Sequence, residues 1–211
     1  MSLNMNKPKY IIFEGCDYTG KTTLIQAFDR FLKDTTNIQY CITKEPGTPL
    51  SPVCQRIRKL ILESIDIDDP EVYSYLFAAD SFRNMKIVQN MLDQNIWVIS
   101  DRCMISDYAY RPDLCVNLRQ YNLDMLKSMN PIVVWVNALE KDIKARVAQR
   151  NNSNQFEKEH VLHRTKEIND NYKEFFYENQ DLNVVEFWNV NPLDSMEYKK
   201  QTTELFQLLA N

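Results

Sequence analysis

The chain has 211 residues, of which 44% are hydrophobic, and its formal net charge at pH 7 is −4. This length and apolar content are enough for one α/β domain without disulfide bonds, so we expect residues 1–211 to form a single domain. The acidic balance argues against binding to a nucleic-acid polymer, and because we find no apolar segment typical of a membrane span or a secretion signal, we expect a cytoplasmic protein that does not bind membranes.

Five short apolar segments are predicted to be buried strands, and each is separated from the next by enough residues for a helix. They are Tyr10–Phe13, Ile38–Ile42, Ile96–Ile99, Ile132–Val136 and Val184–Phe187. This alternation is typical of a three-layer α/β fold, in which helices cover both faces of a central, mostly parallel five-stranded sheet. Ligands of such sheets bind beyond the carboxyl ends of the strands, so we expect the chemistry there.

Apolar residues at helical spacing predict an amphipathic helix after Gly20. Longer helices are predicted for residues 71–95 and 106–129, and the second is interrupted near Pro112. The polar run at residues 151–155 breaks the helical pattern and predicts a mobile loop. We refer to residues 146–158 around this loop as the lid candidate.

A phosphate-binding motif lies between the first predicted strand and its helix, where residues 15–22 match the pattern GxxxxGK[ST]. Gly15 and Gly20 permit backbone conformations in which successive N–H groups point at phosphate oxygens. Lys21 supplies positive charge to the β- and γ-phosphates, and Thr22 offers a hydroxyl to Mg²⁺. The motif therefore predicts a P-loop NTPase fold that binds Mg²⁺ and ATP. The residues expected at ATP are Gly15, Thr19, Gly20, Lys21, Thr22 and Thr23.

Asp101 and Arg102 follow directly after the third predicted strand. At this edge of the sheet, Asp101 can hold Mg²⁺ through water, while Arg102 can face the phosphate of an acceptor nucleotide. A surface ion pair is the alternative for these two residues. Their position at the carboxyl end of a strand favours the nucleotide site.

Several segments, in consistent order and spacing, resemble the thymidylate kinase family. They are residues 13–17, 44–50, 57–62 and 76–80, together with Asp101, Arg102, Ser106 and Tyr110. The resemblance runs from Tyr10 to about Phe176. It implies ATP-dependent phosphorylation of a pyrimidine deoxynucleoside monophosphate, with conversion of dTMP to dTDP as the expected reaction, and it implies a homodimer.

The resemblance also assigns residues to the acceptor side. Asp17 is expected to reach the 3′-hydroxyl of the deoxyribose and the metal, and Arg58 to hold the acceptor phosphate with Arg102. Phe77 and Tyr110 are expected to lie against the base and the sugar. From the residues alone, Asp17 could instead cap the loop, Arg58 lie on a solvated helix face and Phe77 belong to the core. The full set of expected substrate contacts is Asp17, Arg58, Phe77, Arg102, Ser106, Asp107 and Tyr110.

The chain departs from the family pattern at the catalytic arginine, which the family places in the phosphate loop or in the lid. Here these positions hold Tyr18 and Gln155. Because phosphoryl transfer needs positive charge near the moving group, Arg146 and Arg150 are the remaining candidates, and we expect Arg150 to serve. The residues expected in catalysis are thus Lys21, Asp17, Arg102 and Arg150.

The base pocket departs as well. Ser81 stands where the family has an arginine that donates to a thymine carbonyl, and Arg83 points differently on a helix. Asp107 is an acceptor where a hydroxyl or amide is common. One added acceptor and fewer donors lead to the hypothesis that an amino-bearing pyrimidine is preferred over thymine.

Two further readings stay open at this point. A deoxynucleoside kinase would need a carboxylate base after the second strand, and Glu45 occupies a suitable place. Arg58 and Arg102 argue against it, because an uncharged nucleoside gives Arg58 nothing to bind. A nucleotide-binding homologue with weakened catalysis is the other reading, since the usual arginines are missing.

Overall fold

One five-stranded sheet forms the centre of the molecule. The computed structural model describes residues 8–63, 70–111, 116–149 and 155–211. The strands are β1 (Tyr10–Glu14), β2 (Tyr40–Lys44), β3 (Trp97–Asp101), β4 (Ile132–Asn137) and β5 (Asn183–Trp188).

Helices connect the strands and cover the sheet. They are α1 (Lys21–Thr35), α2 (Pro52–Glu63), α3 (Pro70–Asp93), α4 (Ile105–Tyr110), α5 (Val116–Ser128), α6 (Glu140–Gln149), α7 (Gln155–Glu178) and α8 (Met196–Ala210). Within the described ranges, no helix combines the length and the apolar character that crossing a membrane requires.

The strand order is β2-β3-β1-β4-β5, and all four neighbouring pairs are parallel. From β1 the chain builds one side of the sheet with β2 and β3, then crosses to the other side for β4 and β5. The reversal lies at β1, where parallel sheets bind their ligands beyond the carboxyl ends of the strands. Phe13 and Lys44 are both in register with Asp101, so the ends of β1, β2 and β3 meet at one edge.

Two hydrophobic clusters, one on each face of the sheet, form the core. Ile12 belongs to a cluster that includes Tyr172 of α7 and residues of α3, α4 and α5. Phe13, the next residue, points to the opposite face and lies in a cluster with Phe28 of α1 and Phe206 of α8. Because both faces are covered, every residue of β1 is buried, which is why the strand reads as a continuous apolar run ending in Glu14.

The predicted three-layer α/β fold is confirmed, with the sheet wholly parallel. The second strand begins at Tyr40 rather than Ile38, since Ile38 packs against the α1 and α8 cluster without joining the strand. The helix predicted for residues 106–129 is two helices, α4 and α5, and the interruption at residues 112–115 lies outside the described residues. The predicted loop around residues 151–155 also lies largely outside them, and α7 begins at Gln155.

Candidate active site

The phosphate loop connects β1 to α1 in a conformation that its glycines make possible. Gly15 has φ 137° and Gly20 has φ 98°, both in the region that favours glycine. A Cβ at Gly15 would also overlap the carbonyl oxygen of Val136 on β4. The loop therefore lies against the neighbouring strand and delivers the amino terminus of α1, which begins at Lys21, to the edge of the sheet.

Lys21 is buried beneath this loop. Its Nζ donates to the carbonyl oxygens of Gly15 at 2.9 Å and Cys16 at 2.6 Å. Burial, together with the nearby charge of Arg102, lowers the pKa of Lys21 to about 8. Two carbonyl oxygens thus accept from the ammonium, and the nearby charges of Asp17, Asp101 and Glu14 favour its charged form, which is available to the oxygens of a bound phosphate.

The loop itself is braced by contacts from several elements. Thr19 is fully buried and its hydroxyl donates to the carbonyl oxygen of Cys16, so its side chain faces inward. The thiol of Cys16 in turn donates to Asn169 Oδ1 on α7 at 3.0 Å. Arg146 Nη1 donates to the carbonyl oxygens of Tyr18 and Thr19, each at 3.0 Å. The amide of Asn189, just after β5, donates to the same Thr19 oxygen at 2.7 Å.

Thr22 and Asp101 meet at the end of β3, where the hydroxyl of Thr22 donates to Asp101 Oδ2 at 2.9 Å. A hydroxyl and a carboxylate beside a triphosphate are suitable oxygen ligands for Mg²⁺, which keeps several waters and uses few protein groups. The described residues hold no cluster of three or more His, Cys, Asp or Glu side chains suited to a metal. The donor set therefore fits a cation that is shared with phosphate oxygens rather than held by the protein alone.

Arg102 adopts a left-handed backbone conformation with φ 71°, which is strained for a residue with a side chain. Its guanidinium reaches back to the phosphate loop and is held by Asp17 in a charge-assisted hydrogen bond. Nη1 donates to the Gly15 carbonyl oxygen at 3.0 Å and to Ser106 Oγ at 2.9 Å, and Nη2 donates to Tyr110 OH at 3.0 Å. These contacts fix the guanidinium before any ligand binds.

Charge balance explains the pKa of Asp17 in this network. Burial acts to raise it, but the nearby charges of Arg102 and Lys21 outweigh burial and lower the pKa of Asp17 below its ordinary value. Asp17 therefore stays ionised and keeps Arg102 in place.

Glu14 supports the same network from below. It is completely buried at the end of β1 and accepts hydrogen bonds from the backbone N–H of Cys103 at 2.7 Å, from Ser106 Oγ at 2.7 Å and from Tyr172 OH at 2.8 Å. Tyr172 OH also accepts from Arg102 Nη1 at 3.4 Å. The buried carboxylate thus joins β1, α4 and α7 beneath Arg102.

Two cavities meet at this arginine. The acceptor cavity, about 210 Å³, is lined by Asp17, Glu45, Pro46, Arg58, Ile61, Leu62, Phe77, Ser81, Arg102, Cys103, Met104, Ser106, Asp107, Tyr110 and Arg111. The donor cavity, about 660 Å³, is lined by Asp17, Tyr18, Gly20, Lys21, Thr22, Thr23, Arg58, Asp101, Arg102, Arg146 and Gln149. Asp17, Arg58 and Arg102 belong to both walls, so these three side chains lie at the junction of the two cavities.

Arg58 reaches the junction from α2. Its Nη1 donates to the Pro46 carbonyl oxygen at 2.9 Å, and its aliphatic stem packs so closely on Gly47 that a Cβ there would lie 2.5 Å from Arg58 Cδ. Asp80, buried on α3, accepts from the Gly47 N–H with both carboxylate oxygens, at 3.0 and 3.2 Å. The turn after β2 is thereby fixed between α2 and α3, and it sets the position of Arg58.

Glu45 lies in the wall of the acceptor cavity without a cation beside it. It accepts hydrogen bonds from Ser81 Oγ and, at 2.9 Å, from Asn84 Nδ2. Burial, with added repulsion from Asp80, raises the pKa of Glu45 to about 8, so the group is largely protonated at neutral pH. Ser81 is committed to this carboxyl group, and Arg83 is exposed on α3 away from the cavity wall.

Asp107 lies on the wall of the acceptor cavity, and its hydrogen bonds bear on the hypothesis that it selects an amino-bearing base. Asp107 Oδ1 accepts from Arg111 Nε and Nη2 at 3.0 and 2.6 Å, and Oδ2 accepts from Arg119 Nε at 3.1 Å. Arg111 in turn lies over the ring of Phe77, 3.6 Å from its centroid. Both carboxylate oxygens are already paired with guanidinium groups, which makes Asp107 a weaker candidate for accepting from the base than an unpaired carboxylate would be.

Comparison with known proteins agrees with this arrangement. A family model described as thymidylate kinase matches residues 13–186. The chain belongs to the thymidylate kinase family. Membership of the thymidylate kinase family makes the chain a phosphotransferase.

Individual relatives support the assignment to the thymidylate kinase family, and a solved structure supports the fold. The thymidylate kinase of Mycoplasma genitalium is 31% identical over 157 residues, which are 71% of this chain and 73% of that protein. The thymidylate kinase of Carboxydothermus hydrogenoformans is 38% identical over 122 residues, about half of each protein at 57% and 56%. The crystal structure of thymidylate kinase from Ehrlichia chaffeensis has a TM-score of 0.68 and 18% identity, and the match covers 96% of this chain and 99% of that one. At this identity, the structural match bears on the fold alone.

Most of the residues predicted for a thymidylate kinase site lie on the two cavity walls. Lys21, Thr22, Thr23 and Asp101 are on the donor side, Phe77, Ser106, Asp107 and Tyr110 on the acceptor side, and Asp17, Arg58 and Arg102 on both. Thr19 is an exception, because its side chain is buried away from the donor cavity. Arg150 lies outside the described residues. The guanidinium of Arg146 donates to carbonyl oxygens of the phosphate loop.

Several residues of this site were not singled out from the sequence, among them Glu14, Arg111, Tyr172 and Asn189. Glu14 carried a signal, since a carboxylate at the end of an otherwise apolar strand calls for partners. The sequence also contained a signal for Arg111, because an arginine four residues after Asp107 on a helix can pair with its carboxylate. Tyr172 and Asn189 are brought to the loop by long-range packing, and nothing in their local sequence pointed to the site.

Proposed function

We propose that the chain transfers the γ-phosphoryl group of ATP to dTMP, giving dTDP and ADP. The observation that carries this proposal is the shared wall of the two cavities. Arg58 and Arg102 line both, next to the phosphate loop that holds Lys21. Two arginines between a phosphate loop and a second cavity suit a reaction in which two phosphates meet.

The chemistry needs alignment rather than a covalent intermediate. An oxygen of the acceptor phosphate attacks the γ-phosphorus, a new P–O bond forms, and the bond to the oxygen that bridges to ADP breaks. Arg102, already held by Asp17, would orient the acceptor phosphate, and Lys21 would contact the transferred group. Thr22 and Asp101 are the residues that would hold Mg²⁺, which supplies charge that offsets the charge on the phosphoryl oxygens when it is bound.

An acceptor panel tests the proposal. The purified chain would be incubated with Mg²⁺, ATP and one acceptor at a time (dTMP, dUMP, dCMP, dGMP or thymidine), and ADP release would be followed with a coupled assay. We expect the highest kcat/KM with dTMP. A chain that binds ATP but releases no ADP with any acceptor would instead be a nucleotide-binding homologue without catalysis.

Arg58 offers a sharper test of the acceptor phosphate. Arg58→Ala should raise KM for dTMP by about tenfold or more, because a charge-assisted hydrogen bond is lost. Arg56→Ala is the matched control, since Arg56 is exposed on the same helix and lies on neither cavity wall. An unchanged KM in Arg58→Ala would contradict the assignment of this arginine.

The second candidate is a deoxynucleoside kinase, and the observation in its favour is Glu45 in the wall of the acceptor cavity. A general base must be ionised, whereas the pKa of Glu45 is raised to about 8. The monophosphate is therefore the better supported acceptor. Faster turnover of thymidine than of dTMP in the panel would reverse this ranking.

We also propose that the chain acts as a homodimer. Helix α3 packs against both α2 and α5, and these three helices carry the exposed apolar residues Val53, Leu60, Val72, Tyr75, Phe82 and Tyr121. Apolar patches on contiguous helices commonly bind another protein. Light scattering should give a molar mass of twice that of the chain, and Leu60→Glu should reduce the measured mass to that of a single chain.

A cytoplasmic location is proposed as well. Cys16, Cys41, Cys54 and Cys103 are free thiols, which suits a reducing compartment. Cell fractionation with an antibody to the chain would test this, and recovery outside the cytoplasmic fraction would contradict it.

A further inference from the structure

Arg111 follows α4 at the wall of the acceptor cavity, and its guanidinium is fixed on two sides. The ring of Phe77 covers one face, with the guanidinium carbon 3.6 Å from the ring centroid. Asp107 Oδ1 takes one edge by accepting from Nε at 3.0 Å and from Nη2 at 2.6 Å. Among the residues that the structure describes, none accepts a hydrogen bond from Nη1 of Arg111. Because Arg111 lines the acceptor cavity, we take the Nη1 edge as the part of its guanidinium that a ligand would meet.

Asp107 is itself held in place, so it is a firm support for Arg111. Arg119, which is 2% exposed, donates from Nε to Asp107 Oδ2 at 3.1 Å and from Nη2 to the carbonyl oxygen of Asp107 at 3.3 Å. One carboxylate thus serves two guanidinium groups, which leaves this cluster with one net positive charge. Only Arg111 of the two arginines lines the cavity.

The other polar groups on the walls near Phe77 are engaged elsewhere. Ser81 donates to Glu45, and Glu45 is further bound by Asn84. Arg102 is engaged by Asp17 and Tyr110 at the junction with the donor cavity. Arg111 is therefore the cation best placed to meet the base of the acceptor.

We propose that Arg111 determines the specificity for the base by donating from Nη1 to the 4-carbonyl oxygen of a keto pyrimidine. This assignment rests on the proposed phosphorylation of dTMP. Thymine and uracil carry a carbonyl at position 4, whereas cytosine carries an amino group there. A guanidinium has only donors, so it pairs with the carbonyl and opposes the amino group. Asp107 acts as the positioning residue that sets the plane of Arg111.

The test compares three acceptors with the wild-type chain and Arg111→Met. We expect kcat/KM to fall by about ten- to a hundredfold for dTMP and dUMP, because a hydrogen bond from a charged donor is lost. For dCMP we expect no loss, so the dTMP to dCMP ratio falls by the same factor. Arg111→Lys retains the charge but lacks the planar guanidinium, so its dTMP to dCMP ratio should lie between those of the wild type and Arg111→Met.

Controls separate specificity from structure. Arg83→Met removes an exposed arginine of α3 and should leave the ratio unchanged. Urea unfolding would establish that each variant is folded, and if Arg111→Met is too unstable, Arg111→Lys provides the same comparison. Equal losses for all three acceptors would overturn the assignment, since a structural defect does not discriminate between bases.

Binding measurements distinguish a failure of the proposed reaction from a failure of the role assigned to Arg111. Calorimetric Kd values for dTMP and dCMP report the preference without turnover. A wild-type chain that prefers dTMP in binding but transfers no phosphoryl group would contradict the proposed function and not the role of Arg111. If the chain turns over dTMP but Arg111→Met leaves the dTMP to dCMP ratio of kcat/KM unchanged, only the role of Arg111 would be contradicted.

Discussion

The hydroxyl of Thr22 donates to Asp101 Oδ2 at 2.9 Å, and this contact joins the first turn of α1 to the end of β3. The two residues are 79 positions apart in the chain, yet the register between β1 and β3 brings their strand ends together. The pair lies in the wall of the donor cavity, beside Lys21. We take it as the place where a divalent cation would be shared with ATP.

Replacing either member of this pair should raise the Mg²⁺ requirement. We expect Asp101→Ala to lower activity at fixed Mg²⁺ by about 10- to 100-fold, because it removes an outer ligand of the cation. Thr22→Val should have a similar effect, whereas Thr22→Ser keeps the hydroxyl and should stay near wild type. Activity would be titrated against Mg²⁺ at constant ATP. Identical titration curves for wild type and Asp101→Ala would refute the assigned site.

ATP affinity should decline above pH 8. The pKa of Lys21 is lowered to about 8 in the free protein, mainly by burial, and a bound phosphate would restore the ammonium form. Binding above this pH therefore requires proton uptake, and Kd should rise by up to about tenfold per pH unit. The Kd of a non-hydrolysable ATP analogue would be measured from pH 7 to 9.5 at constant ionic strength. Lys21→Arg stays charged, so its affinity should lack this slope; a flat wild-type curve would contradict the prediction.

Glu45 should make the chain less stable as pH rises. Its pKa in the folded protein is raised from 4.5 to about 8, so its stabilising contribution is fully present below pH 4.5 and is lost as the pH rises through 8. Glu45→Gln imitates the protonated form and removes this dependence. The free energy of unfolding in urea, measured from pH 5 to 9, should fall in wild type relative to Glu45→Gln. Glu174→Gln, at an exposed position on α7, should follow wild type, and parallel curves for wild type and Glu45→Gln would count against the prediction.

Arg102 should matter for stability as well as for catalysis. Arg102→Met leaves Asp17 and the buried Glu14 without their cation. Leaving the buried Glu14 unpaired costs up to about 3–5 kcal/mol of unfolding free energy, whereas Asp17, whose side chain is 42% exposed, contributes less. Arg102→Met should also raise the pKa of Asp17, since Arg102 is the largest influence that lowers it. Urea unfolding at pH 7 measures the first effect. Tyr110→Phe removes an uncharged hydroxyl that bonds both Arg102 and Asp17, so it should cost less than Arg102→Met, about 1–2 kcal/mol, and an equal loss in both variants would contradict the electrostatic account.

The sequence predicts the fold well because its main signals are local. The apolar run of β1 and the glycine spacing of the phosphate loop each follow from neighbouring residues, and both are found where expected. Asp101 and Arg102 could be placed because parallel strands end at a common edge. Their roles in the reaction remain predictions.

The base pocket could not be predicted in the same way. Asp107 lies on the cavity wall as expected, but it is paired with Arg111, four residues away, and with Arg119 on the next described helix, and neither pairing was predicted. An arginine as deeply buried as Arg119 reads as a surface residue in a sequence, and only tertiary packing reveals its partner. Tyr172, 158 residues from its partner Glu14, illustrates the same limit.

The shared wall of the donor and acceptor cavities implies that the two nucleotides do not bind independently. An acceptor phosphate that draws Arg58 away from the Pro46 carbonyl oxygen also reshapes the surface that ATP meets. By thermodynamic reciprocity, ATP must then change the affinity for the acceptor by the same factor as the acceptor changes the affinity for ATP. Order of addition would alter the route to the ternary complex, while the coupling free energy between the two substrates would stay the same along either route.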